Sequence, residues 1–175
     1  MKRVGITSTV PVEVIYAAGW TPVDLNNVFI ASENPIEMVS EAEKKGYPRN
    51  ACGWIKGIYS AAFKTDIDAV ISVVEGDCSQ THAMTETWQM AGIRTIPFSF
   101  PYGRDRQELK LSIEKLMREL GTDWPAVYEW KKKLDDIRAS VWELDRLTWQ
   151  DLAFTSADNH YYQVCCSDFN SDPYL

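Results

Sequence analysis

Two cysteines stand where a thiol can do chemistry. Cys52 follows the loop Tyr47-Pro48-Arg49-Asn50 and precedes an amphipathic stretch at 54–64. Cys78 follows an apolar run at 68–74 and the turn Glu75-Gly76-Asp77. Both positions read as helix N-termini, where free backbone N–H groups and the helix dipole lower a thiol's pKa and favour anions, a thiolate-ligated cluster among them. The 25 residues between them match no compact metal motif, so from position alone each reads equally well as a small core residue. Cys78 and His82, four apart on one helix face, can serve zinc with Cys52 as a third ligand. No further Cys or His pair completes a structural site, and a surface imidazole is the simpler reading of His82. The neighbours Cys165 and Cys166 point different ways on a helix and do not readily bridge, which makes them packing residues.

Ser8 and Thr9 follow a first strand at 3–7, at the sheet end that also carries Cys78. Hydroxyls and free N–H groups there can hold a carbonyl, a thioester or a phosphate. Neither the dinucleotide fingerprint nor the P-loop pattern occurs. Neither histidine has an evident orienting partner, so a Cys-His hydrolase is weakly supported.

The elements that must position these groups alternate. Thr9 or Val10 is expected to cap a helix with Pro11 at its first position, ending at Gly19. Strand candidates follow at 21–25 and 28–30, then helices at 34–45 and 54–64. The run 68–74 is nearly all apolar, as in a parallel strand covered on both faces. A helix from Cys78 to Gly92 and a strand at 94–98 follow. Next comes a helix capped by Asp105 that ends near 120. That order predicts an α/β fold, a Rossmann-like domain with a parallel sheet over residues 1–121. Residues 122–175 read as a helical extension leading toward a second domain. Its first helix carries Val127, Trp130, Leu134, Ile137, Val141 and Leu144, and a final helix from about Ser156 presents His160 and Cys165. The end, at 170–175, reads as a turn entering another element.

Composition narrows the function classes. The 175 residues are 45% apolar, enough for a hydrophobic core, and 18 basic against 25 acidic residues leave a net charge of −7. Nucleic acid and anionic membrane are therefore not expected partners. Four cysteines are too few for a disulfide scaffold. Met1-Lys2-Arg3 begins like a signal sequence, but Pro11 and Glu13 interrupt the apolar residues after it, and no stretch has the roughly 20 apolar residues of a membrane span. A cytoplasmic setting with reduced thiols is the expectation.

Residues 7–23, Thr7-Ser8-Thr9-Val10-Pro11 through Glu13 to Gly19-Trp20-Thr21-Pro22-Val23, resemble the opening of the 2-hydroxyacyl-CoA dehydratase family. That family comprises cluster-bearing components of hydroxyglutaryl-, lactyl- and phenyllactyl-CoA dehydratases, related to benzoyl-CoA reductase and to double-cubane-cluster reductases. Residues 50–57, around Cys52-Gly53-Trp54, are similar to its first cysteine segment. Residues 68–81, with Glu75-Gly76-Asp77-Cys78, are similar to its second, and 158–173 also match. The resemblance covers nearly all of this sequence but about the first half of a typical member.

The resemblance implies two Rossmann-like domains with an iron–sulfur cluster between them, a [4Fe–4S] cluster or alternatively a double cubane. Cys52 and Cys78 become two of its thiolate ligands. The family's third cysteine lies in the second domain, so the missing ligand falls to a separate chain or, as a weaker substitute, to Cys165 or Cys166. Ser8 or Thr9 would hold substrate or a cluster-bound oxygen. The implied partners are an ATP-dependent activator with its own cluster, a second dehydratase subunit or the missing C-terminal half, and an acyl-CoA substrate. The activator would inject one electron, forming a ketyl radical from the thioester and expelling the hydroxyl. Two alternatives remain: a reductase component that stores electrons, and a cluster-free α/β interaction module.

Overall fold

Four apolar segments form one parallel sheet in the computed structural model, which describes residues 1–174. The strands β1 (Lys2–Ile6), β2 (Trp20–Asp24), β3 (Ala69–Glu75) and β4 (Thr95–Ser99) lie in the order β2-β1-β3-β4. Strand β1 pairs with β2 from Lys2↔Trp20 to Ile6↔Asp24, and with β3 from Val4↔Ala69 to Ile6↔Ile71. The chain thus winds outward from β1 in one direction and from β3 in the other. The two central strands flank the switch point, and their carboxyl ends open onto the crevice where such sheets bind ligands.

Helices cover both faces. Before β4 they are α1 (Val12–Ala17), α2 (Leu25–Ile30), α3 (Pro35–Lys44), α4 (Gly53–Lys64) and α5 (Gln80–Met90). After β4 come α6 (Arg106–Leu120), α7 (Trp124–Trp149) and α8 (Ser156–Cys165), then a 3-10 turn, Phe169–Ser171. One core joins Ile6, Ile71, Val73 and Phe98 to Ile15 of α1, Leu116 of α6 and Leu134 of α7. The other joins Val70 to Leu25, Met38, Ile58 and Trp88. Each such side chain contributes about 1.5–3 kcal/mol on burial. The α/β expectation with its parallel sheet and helical extension holds.

Local chemistry sets the boundaries. Asp105 accepts from the N–H groups of Gln107 and Glu108, and Asp123 from that of Ala126. Gly121 closes α6 at φ +83. Residues 28–30, expected as strand, are helical instead. Asp24 accepts from the Asn26 N–H at 2.8 Å and starts α2 directly after β2. The buried pair Leu25 and Phe29, four apart, sets that helix's inner face. At α1, Pro11 is the N-cap itself, and neither Thr9 nor Val10 caps.

Helix α4 is tied down from two sides. The buried Lys56 ammonium reaches Glu43 of α3 at 2.7 Å and the Arg49 carbonyl at 3.1 Å, which fixes the loop leading into Cys52. Its Gly57 packs face-on to Phe29, so that an added Cβ would stand 2.3 Å from the ring. Alanine is the better helix former, yet overpacking costs typically 1–3 kcal/mol. Gly57→Ala should therefore lower stability by about 1–3 kcal/mol, read by urea denaturation; an equal or higher midpoint would contradict this packing.

Candidate active site at the carboxyl edge of the sheet

The ends of β1, β2 and β3, the helices α2 and α4, the start of α5 and the α8 segment line an open cleft of about 640 Å3. Ser8 and Thr9 line it from the segment after β1, Asp77 and Cys78 from the turn after β3. Thr7 locks these two segments together. Its N–H donates to the Ile71 carbonyl at 3.2 Å, and its hydroxyl accepts from the Val73 N–H at 3.0 Å.

Asn26 links a third segment. Its amide donates to the Thr7 carbonyl at 3.0 Å and to Asp24 at 2.7 Å, and its oxygen accepts from the Trp54 indole at 2.6 Å. Trp54 also packs edge-on to Phe29, with ring centroids 5.4 Å apart. The first turn of α4 is thereby anchored to the end of β1. Cys52 is the N-cap of α4, and its N–H donates to Gln80 Oε1 at 3.4 Å. Cys78 sits one residue before Ser79, the N-cap of α5, and its carbonyl accepts from the Thr81 N–H at 3.0 Å. Both cysteines are exposed. The structure therefore brings the two cysteine loops together through Gln80. Cys78, but not Cys52, lines the main cavity.

The remaining wall is built by the C-terminal segment, with His160, Gln163, Cys166 and Ser167 facing the cavity. A buried clasp holds it there. The Asp168 carboxylate accepts from the Asp24 N–H at 2.7 Å, the Asp168 carbonyl accepts from the Tyr16 hydroxyl at 2.7 Å, and Ser171 donates to the Pro22 carbonyl. Burial pushes the Asp168 carboxyl above the usual range, opposed by its backbone donors. Burial also raises the Tyr16 phenol, with Asp168 and Asp172 adding to it. Arg138 of α7 reaches Glu13 of α1 at 2.7 Å and lies over the Phe169 ring.

The four thiols differ accordingly. Cys166 lines the cavity, and burial pushes its thiol up, only partly offset by Arg138. Cys52 and Cys78 have the donor chemistry of iron–sulfur ligation and fit part of such a site. Among the described residues no group of three or more His, Cys, Asp or Glu is placed to hold a metal ion. His82 is exposed on α5 and the set Cys52, Cys78 and His82 is not assembled. Sequence patterns gave no hint of Asn26 or Gln80 at the site, since each acts through contacts between distant segments.

A family profile described as 2-hydroxyglutaryl-CoA dehydratase, D-component, matches residues 7–167. The chain belongs to this family. The match begins at Thr7 and ends at Ser167, so it encloses the whole cavity wall from the Ser8 segment to the last lining residue. No curated protein matches the chain. Membership makes it a dehydratase-like component, and among the described residues no helix is long and apolar enough to cross a membrane.

Two measurements check this geometry. Under native conditions a maleimide should modify Cys52 and Cys78 well before Cys166, resolved by peptide mass spectrometry; equal rates would contradict the burial of Cys166. For Asp168, the folded state holds its proton at a pH where the unfolded chain has lost it. The resulting stability is complete below about pH 4, the ordinary Asp value, and is lost as pH rises through the folded value. In Asp168→Asn, unfolding free energy plotted against pH should lose that downward slope.

Proposed function

We propose that this chain is the iron–sulfur-cluster-binding component of a 2-hydroxyacyl-CoA dehydratase-like enzyme, which removes water from an acyl-CoA thioester with an electron supplied by an ATP-dependent activator. The observation that carries this reading is the meeting of Ser8, Cys78 and the Gln80-tethered Cys52 loop at the switch point of the sheet. Family membership supplies the reaction class.

In this reading Cys52 and Cys78 hold one side of the cluster. The missing third thiolate comes from a second subunit or a further segment. When bound, the cluster supplies one-electron transfer and Lewis acidity at an open iron. This chain's own groups do the rest. Ser8 and Thr9 orient the thioester or the departing hydroxyl by hydrogen bonding. Asp24, Asp77 and His160 line the cavity as groups that can accept and return a proton. The α8 wall, held by Asp168, restricts water. The net reaction breaks the Cα–O and Cβ–H bonds, forms a C=C bond and releases water, so the activator's electron is recovered. A reduced cytoplasmic setting suits both the thiols and the cluster.

Anaerobic reconstitution with iron and sulfide, with the genomically neighbouring subunit present, should give thiolate-to-iron charge-transfer absorbance that Cys52→Ala and Cys78→Ala abolish. Ser8→Ala should keep the absorbance yet slow turnover of an (R)-2-hydroxyacyl-CoA by about 10²-fold, as for loss of one oriented polar contact at a reacting oxygen. Absent absorbance, unaltered by Cys52→Ala, would overturn the cluster reading in favour of a cluster-free interaction module. A cluster without dehydration would make the chain a reductase component.

A further inference from the structure

Helix α8 forms one side of the cleft yet is barely joined to the body. None of its residues, Ser156–Cys165, is buried. The connection that leads into it is exposed throughout residues 150–158, with Leu152 82% exposed at φ +52. Among the described residues, one side-chain hydrogen bond leaves the helix, from Asn159 to Asp145 of α7 at 2.7 Å. A helix with so little buried surface belongs to the least stable part of a fold.

Its root, by contrast, is bound from several sides. Just past α8, Asp168 accepts from the Asp24 N–H through its carboxylate and from the Tyr16 hydroxyl through its carbonyl, each at 2.7 Å. Ser171 donates to the Pro22 carbonyl at 2.9 Å, and Asn27 donates to the Ser167 hydroxyl at 3.2 Å. These bonds work against strain. Phe169, Asn170 and Ser171 stand at φ +53, +51 and +65, a left-handed run that L-residues hold only when their surroundings impose it. The root is therefore a sprung latch, in which a few directed bonds keep an unfavourable backbone in place.

The latch sets the width of the cleft. His160, Gln163, Val164 and Ser167 line it from the latched segment, while Ser8, Asn26 and Cys78 line it from the sheet edge and the turn beyond β3. A displacement of α8 moves the first set and leaves the second where Thr7 and Asn26 fix it.

We propose that α8 is a hinged flap. Latched, as in this structure, it narrows the cleft; with the latch released, it swings about the 150–155 connection and uncovers the sheet edge. A ligand that touches both sides of the cleft binds the latched position better and so shifts the flap toward it. The flap stands on this geometry alone. Only its place in turnover, admitting an acyl thioester and then shielding it from water, rests on the function proposed above.

Distances between two nitroxide labels, measured by pulsed electron spin resonance, test this with no cluster or substrate present. The labels go on Ala157→Cys in α8 and His82→Cys in α5, both exposed, in the full chain with its four native cysteines changed to alanine. Two populations are expected, a narrow latched one and a longer, broader released one. Tyr16→Phe removes one latch bond, and Tyr16 does not line the cleft. It should raise the ratio of released to latched about tenfold, as for the loss of one buried hydrogen bond. Asp168→Ala should raise the ratio further, with the near-ultraviolet circular dichroism retained; should that variant not fold, Tyr16→Phe carries the test. Tyr128→Phe, at an exposed position of α7, should leave the ratio unchanged. A single distance that neither latch variant moves overturns the flap, as does an equal shift in Tyr128→Phe. Cluster reconstitution has no bearing on these distances, so the flap and the proposed function fall separately.

Discussion

The candidate site depends on a single amide. Asn26 satisfies the Thr7 carbonyl at the end of β1, the capping Asp24 at the end of β2, and the Trp54 indole in the first turn of α4. A parallel sheet fixes its own strands but says nothing about where a helix whose indole lies 28 residues after Asn26 should begin. That placement comes from side chains. Because the Asn26 oxygen takes the indole proton while its NH2 holds two strand ends, Cys52 is referenced to the same backbone that positions Ser8. No apolar residue could make these bonds, and aspartate could not donate.

A second tie acts from the other end of the chain. Asp168 is costly to bury, and burial raises its pKa, yet its acceptors satisfy the backbone N–H of Asp24, which also carries the cap for α2. The clasp thus joins the last helix to the strand end beneath Asn26. It holds three consecutive residues, Phe169, Asn170 and Ser171, at positive φ, a conformation that L-residues adopt at a cost of order 1–3 kcal/mol each. Burial of Phe169 under Arg138 offsets part of that cost. The Asp168 carboxylate is held by backbone donors, which suits a contact that needs direction more than charge.

Much of this was legible in the residues themselves. Gly19 and Gly92 end helices at positive φ, and Asp105 caps where its spacing predicts. The apolar run at 68–74 is the buried central strand β3, one residue out of register. Residues 28–30 misled because Val28 and Ile30 alternate around Phe29 like a strand, whereas the Asp24 cap decides the matter one turn earlier. The site was legible only in part. Ser8, Thr9 and Cys78 announce themselves by following strands, a local signal. Asn26, Gln80 and Asp168 act across separations of 19, 28 and 144 residues, and no window of sequence shows such partners.

The thiols show why position outranks composition. Cys166 lines the cavity and Cys52 does not. The thiols differ in exposure. Cys166 is half-buried behind α8, where desolvation favours the neutral thiol and Arg138 offsets only part of it. Cys52 and Cys78 are exposed at helix starts. Exposure has a further consequence. Two thiols on open loops, with no third donor among the described residues, cannot enclose a metal from one side. Gln80 holds the Cys52 backbone at the start of α5, next to Cys78.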